Sequence, residues 1–214
     1  TECYGPSVVC AWHEEWNDRP TSEQAELKSR QGVNYHMLQG ISVMDSNSMT
    51  PLPHDGETMG EVMFRGNVVM KGYLNRPEET ADMVRDGWLH TGDLAVADED
   101  GYLRIVGRMK DLIIAGGYNI FPDEIDRVLA EHPAVLEACT IGIPDEKRGE
   151  TVKSFLVLDK GGSVSEVELA EFCREMLAAY KVPKFWEFRD ELPKSAMMKL
   201  LRRELCAQES AKNA

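Results

Sequence analysis

The chain has 214 residues, 43% hydrophobic and 29% charged, with 24 Lys plus Arg against 37 Asp plus Glu for a formal net charge of −13. That length supports one large domain or two small ones, each with its own core. The acidic balance argues against general binding to nucleic acid or an anionic membrane surface, because neutralising phosphates needs a basic face; a local basic pocket for a nucleotide remains compatible with it.

No apolar run approaches the ~18 residues of a spanning helix, and no charged-then-apolar leader opens the sequence. It begins at Thr1, without Met, in a polar segment containing Gly5 and Pro6, as expected of a fragment of a longer chain. Cys3, Cys10, Cys139, Cys173 and Cys206 are odd in number and contain no C-x-x-C pair, which reads as reduced thiols in a cytoplasmic protein. Cys3, Cys10 and His13 fit no standard zinc spacing.

In chain order, residues 1–34 begin irregularly. Thr21-Ser22-Glu23-Gln24 supplies helix-start signals, and Gly32 ends a short surface helix, whose functional alternative is a lid or a partner contact. From 35 to 106 strands dominate. Ile41–Met44 alternates and meets the turn cluster Asp45–Ser48; Asp55-Gly56 is a second turn, and Glu61–Arg65 a second strand. Pro77 opens a short helix at a tolerated first-turn position. Leu94–Ala97 and Tyr102–Val106 flank Asp98-Glu99-Asp100-Gly101 and predict a hairpin. Together these elements predict a small twisted β-barrel.

After residue 110 the pattern becomes α+β. Leu112–Ile114 reads as a short strand. Pro122–Leu129 reads as a helix with acids in its first turn and Ile125, Val128 and Leu129 as its buried stripe. Val135–Ile143 and Thr151–Leu158 read as strands. Ser165-Glu166-Val167-Glu168 is a capping box, and Leu169, Phe172, Cys173 and Met176 recur at i, i+3, i+4, i+7, which makes Cys173 a core residue rather than a nucleophile. Lys184–Phe188 is a last strand and Leu201–Glu209 a terminal helix.

Several motifs carry chemistry. Trp88-Leu89-His90-Thr91-Gly92-Asp93 places a carboxylate after a glycine, read as a turn, where it can accept from two adjacent hydroxyls such as those of a ribose. Gly107-Arg108-Met109-Lys110-Asp111 falls where the pattern changes. Gly116-Gly117, Glu124 and Pro193-Lys194-Ser195-Ala196-Met197-Met198-Lys199 follow. In order and spacing, with Gly60-Glu61, Arg65-Gly66, Gly72-Tyr73 and Pro77, this series resembles the adenylate-forming, AMP-binding superfamily. The opening Thr1-Glu2-Cys3-Tyr4-Gly5-Pro6-Ser7 resembles its acyl-CoA synthetase branch. The Ala11–Gly32 insertion and Met59-Gly60-Glu61 are most similar to the medium-chain, methylmercaptopropionate and aromatic acid–CoA ligases.

The resemblance implies an α/β and α+β architecture: residues 1–107 as the β-barrel-like end of the large domain, 108–110 as a hinge, 111–205 as the small C-terminal domain and 206–214 as a tail. It implies a two-step reaction in which a small carboxylic acid attacks ATP and the acyl group then passes to CoA. It also implies roles. Thr1, Glu2 and Lys199 are catalytic, Glu2 holding Mg²⁺ as a hard cation's oxygen ligand. Asp93, Arg108 and Lys199 bind the nucleotide, Lys199 bridging the carboxylate and the α-phosphate. Lys110 is the hinge, and Gly116 and Gly117 let CoA pass close to the backbone. Glu124 fixes a helix start, and His90 is a turn residue near the nucleotide.

The phosphate loop, adenine site and most of the acyl pocket are expected upstream of Thr1, so the fragment alone is expected to be inactive, with an N-terminal large-domain segment as its partner and a homo-oligomer left open. Two other readings remain: a non-catalytic module that binds a large domain, and an adenylation domain serving a carrier protein. The family's final loop usually has Gly before its Lys; Met198 stands there in this chain.

Overall fold

The computed structural model describes residues 1–212, and the chain divides into two compact units, Thr1–Met109 and Lys110–Ala214.

In the first unit, β1 (Val8–Val9) and β2 (Val33–Asn34) form a small antiparallel pair. A 3₁₀ turn (Glu14–Trp16) and α1 (Thr21–Ser29) lie between them in sequence. The main sheet is built from β3 (Gly40–Asp45), β4 (Thr50–Pro51), β5 (Gly60–Arg65), β6 (Val84–Arg85), β7 (Trp88–Ala97) and β8 (Leu103–Arg108). Its order is β4-β3-β5-β7-β6, with β8 also on β7. α2 (Pro77–Met83) precedes β6 and carries its proline in the first turn. Alternation in β3, β5 and β7 buries Val43, Val62, Ala95 and Ala97 together with Leu103.

The predicted hairpin is present: Ala97 faces Leu103, and the Asp98 carboxylate accepts the Tyr102 N–H at 2.8 Å. The predicted barrel is not closed. Among the described residues the pairing runs from β4 to β6 and β8 without returning, so the sheet is open. α1 is a surface helix with no buried residue. What anchors its segment is an aromatic knot: buried Trp16 meets buried Tyr102 edge-on, and the Arg30 guanidinium lies 3.9 Å over the Tyr102 ring while pairing with Asp98 at 2.7 Å. Cys10 donates to the Leu27 carbonyl, and His13 Nε2 lies 3.0 Å from the Tyr102 hydroxyl.

In the second unit, β9 (Ile113–Ala115), β10 (Tyr118–Ile120), β11 (Val135–Asp145), β12 (Gly149–Leu158) and β13 (Phe185–Phe188) form a sheet of order β10-β9-β12-β11, with β13 parallel to β12. Every residue from Thr151 to Val157 is buried, as a central strand covered on both faces requires. One face packs against α3 (Pro122–Ala130) and α4 (Glu166–Met176) through Ile125, Leu129, Leu156, Leu169 and Cys173. The other packs Phe155, Ile141 and Leu192 against Leu205 of α5 (Arg202–Lys212). Burial pushes the thiols of Cys139 and Cys173 up to about 12 and about 11, consistent with inert core residues.

The capping box forms in both directions: Ser165 Oγ accepts the Glu168 N–H at 3.2 Å and Glu168 accepts the Ser165 N–H at 2.8 Å. Met176, at the end of the predicted stripe, is exposed. The chain after residue 205 is not a loose tail. α5 continues to Lys212, and Glu209 and Glu187 together grip buried Lys153 at 2.8 and 2.7 Å. Residues 213–214 of the predicted tail lie outside those described.

Candidate active site

In the first unit, Thr91-Gly92-Asp93 is not a turn but the middle of the ten-residue strand β7. Gly92 has φ +70°, and pairing slips beside it on both neighbours, between Glu61 and Met63 of β5 and between Leu94 and Ala95 against β8. This is bulge geometry, which re-aims side chains within a strand. A Cβ at Gly92 would meet nothing within 4 Å, so the glycine is required by its φ and not by space.

The bulge is pinned from β5. Glu61 accepts the Gly92 N–H at 2.9 Å, the Thr91 hydroxyl donates to the Val62 carbonyl at 2.7 Å, and the Asp93 N–H donates to Thr91 Oγ1 at 3.1 Å. Asp93 lies directly across from Arg108 in the β7–β8 register, and the two pair at 2.9 Å. His90, expected in a turn, is a buried strand residue; its Nδ1 lies 2.8 Å from Glu61 and 2.9 Å from Arg85, while its buried Nε2 has no hydrogen-bond partner among the described residues.

Thr1, Glu2, His90, Thr91, Asp93 and Arg108 line one cleft of about 440 Å³. Thr1 is exposed. Glu2 is half-buried, which alone would raise its pKa. Its own backbone N–H and the Tyr73 hydroxyl, which donates to it at 3.1 Å, outweigh burial and hold the carboxylate below its usual range. Burial and that same bond raise the Tyr73 phenol. No group of three or more His, Cys, Asp or Glu side chains suited to a metal occurs among the described residues, Cys3, Cys10 and His13 included.

In the second unit, Lys110 is exposed within a 3₁₀ turn, Met109–Asp111, at the unit boundary. Gly116 and Gly117 are the two central residues of the β9–β10 hairpin, which pairs Ala115 with Tyr118. Their φ values, +59° and +84°, are those of a type I′ turn. A Cβ on Gly117 would meet nothing within 4 Å, so the backbone there is open to solvent. β10 itself was not foreseen. Glu124 does not cap α3; both its carboxylate oxygens accept from Lys181 Nζ at 2.7 Å.

Lys199 is exposed, with no ion pair among the described residues. Its loop is a tight turn closed by the Lys194–Leu200 bridge. The Ser195 N–H donates to the Lys199 carbonyl at 2.8 Å, and Ser195 Oγ accepts the Lys199 N–H at 3.2 Å. Met198 has φ +61°, the left-handed conformation that suits glycine. Arg202 is not the surface cation its sequence neighbours suggest: it bonds Asp123, Asp126 and the Thr140 carbonyl.

Residues 124–199 match the AMP-binding enzyme C-terminal domain. The chain is 46% identical over 213 residues to an acetate–CoA ligase of Humulus lupulus, covering 97% of this chain and 37% of that protein. It is 55% identical over 151 residues to a long-chain-fatty-acid–CoA ligase of Bacillus subtilis, covering 71% of this chain and 27% of the relative. Among solved structures, ATP-bound MatB from Rhodopseudomonas palustris superposes with a TM-score of 0.78 at 35% identity, covering 84% of this chain and 35% of that one. The chain belongs to the adenylate-forming, AMP-binding enzymes and corresponds to their C-terminal part. It spans between about a quarter and two fifths of the length of these relatives, 27% for the Bacillus ligase and 37% for the Humulus ligase.

Proposed function

We propose that this chain is the C-terminal part of an ATP-dependent, AMP-forming acid–thiol ligase. In that reaction a small carboxylic acid attacks the α-phosphate of ATP and releases pyrophosphate, and the CoA thiolate then displaces AMP from the acyl-adenylate. The supporting observation is the Asp93–Arg108 pair, held by a pinned bulge in the same cleft as Thr1 and Glu2. A carboxylate fixed this way accepts from both hydroxyls of a ribose, and Arg108 steadies it from the facing strand.

Lys199, a compact cation on an exposed loop, stabilises charge developing between the carboxylate and the α-phosphate. Glu2 is a single carboxylate, which suits Mg²⁺ held chiefly by substrate phosphates and water; bound there, the ion would neutralise phosphate charge. Gly117 offers an unobstructed backbone to the CoA arm. Lys110 is the pivot that lets the second unit present Lys199 in one half-reaction and Gly117 in the other. The Ala11–Gly32 and Met59-Gly60-Glu61 resemblance favours a medium-chain, methylmercaptopropionate-type or aromatic acid as substrate.

The test is carboxylate-dependent ATP–pyrophosphate exchange in the complete ligase. Asp93→Ala should raise KM for ATP at least tenfold and Lys199→Ala should lower kcat at least a hundredfold, whereas the isolated 214-residue chain should make no acyl-CoA. Exchange that is indifferent to both substitutions would refute the assignment.

A further inference from the structure

The loop that carries Lys199 cannot be held in place by packing. Met197 and Met198 are 81% and 71% exposed, and Leu200 is also exposed. Hydrogen bonds within the loop set its shape but not where it stands on the unit. Position must come from its two ends. On the upstream side Lys194 pairs with Glu137 of β11, next to buried Leu192. On the downstream side the anchor is Arg202, at the start of α5.

Arg202 binds outward from that point in several directions at once. Its Nε donates to the Thr140 carbonyl of β11 at 3.3 Å. One terminal nitrogen bonds both Asp123 and Asp126 of α3, and the other lies 3.7 Å from Asp111, next to the proposed hinge residue. Only 20% of the side chain is exposed. Burial pushes Asp126 up to about 6, with Arg202 and Thr140 pulling it back, so the site depends on the guanidinium for its balance of charge. A planar fork reaches four acceptors in different directions; an ammonium is a point charge and cannot. Both anchors end on β11, three residues apart at Glu137 and Thr140, so one strand fixes both ends of the loop.

We propose that Arg202 is a positioning residue for Lys199, locking the lysine loop to α3, β11 and the Asp111 turn so that the ammonium stands at a fixed place relative to the hinge exit. This rests on the reading of Lys199 as the adenylation lysine. Asp111 and Asp123 act with Arg202 as parts of the same lock.

The test separates the two half-reactions in the complete ligase. Arg202→Lys keeps the charge and removes the fork. It should lower kcat for pyrophosphate exchange at least tenfold with KM for ATP within twofold, while thioester formation from supplied acyl-adenylate and CoA changes less than twofold. In a Lys199→Ala background the same substitution should have no further effect on exchange. Asp111→Asn, which leaves the α3 and β11 contacts in place, should show the same split at smaller size and serves if Arg202→Lys does not fold. Equal slowing of both half-reactions, additivity with Lys199→Ala, or unchanged exchange where Lys199→Ala abolishes it would overturn the proposal. If Lys199→Ala itself exchanges at the full rate, the reading of the lysine fails and the proposal with it.

Discussion

Met198 sits at φ +61°, directly before the lysine proposed to act on ATP, and replacing it with glycine isolates the cost of that backbone conformation. A β-carbon in the left-handed region costs ~1–2 kcal/mol against the following carbonyl. Glycine returns roughly 0.5–1 kcal/mol of that through the larger entropy of its unfolded chain. The side chain is 71% exposed, so almost no packing is lost. The net expectation for Met198→Gly is a stabilisation of about 0.5–1 kcal/mol, seen as a higher urea midpoint with an unchanged slope. Met198→Ala keeps the β-carbon and should gain nothing. Amide exchange at residues 198 and 199, whose N–H groups both bond to Ser195, should slow in the glycine variant alone. In the complete ligase the same change should speed pyrophosphate exchange, because the loop reaches its shape without strain. If alanine stabilises as much as glycine, the gain does not come from φ and the reasoning fails; slower exchange with glycine would show that Met198 contributes more than its conformation costs.

Burial alone would raise Glu187, but hydrogen bonds from Lys153, Lys212 and Arg189 override it and hold the carboxylate at about 2. Because the folded pKa is depressed, that contribution is complete above the unfolded value near 4.5 and is lost as pH falls toward 2. After discounting for solvent screening, Glu187→Gln should cost on the order of 1–2 kcal/mol at pH 6 and nearly nothing at pH 2, read from urea midpoints; a cost that does not vary with pH refutes the linkage. Lys110→Pro fixes φ at the unit boundary and should impair thioester formation more than pyrophosphate exchange, with equal loss of both counting against a hinge. Gly117→Ala adds a methyl to open space at φ +84°, so it should cost about 1 kcal/mol of stability without blocking anything in the chain itself. A loss of CoA-dependent turnover far beyond that cost would show that the ligand needs the bare backbone.

What the sequence disclosed, and what it hid, divides along one physical line. Features set by neighbours in the chain were legible: the Ser165–Glu168 box, the Ile125–Leu129 stripe of α3, and the Asp98 turn of the β7–β8 hairpin. Each is decided within a few residues, where spacing and side-chain type are sufficient. Features set by partners remote in the chain were misread. Thr-Gly-Asp has the composition of a turn, yet β5 on one edge and β6 and β8 on the other draw it into a strand, and the turn-like glycine survives as a bulge. The Trp16–Arg30–Tyr102 knot has no periodicity to betray it. Arg202 lies three residues after Lys199 and adjoins Arg203, so it reads as part of a basic surface until the fold brings three aspartates from positions 111, 123 and 126 around it. The candidate site follows the same division. Motifs pick out the groups proposed to touch ligand, because the motifs are spelled within a few residues of the chain. The residues proposed to aim them, Glu61 behind Asp93 and Arg202 behind Lys199, are held by long-range pairing. An account of this chain built from motifs alone would therefore name the proposed reacting groups and omit the residues whose long-range bonds fix the strand and loop that carry them.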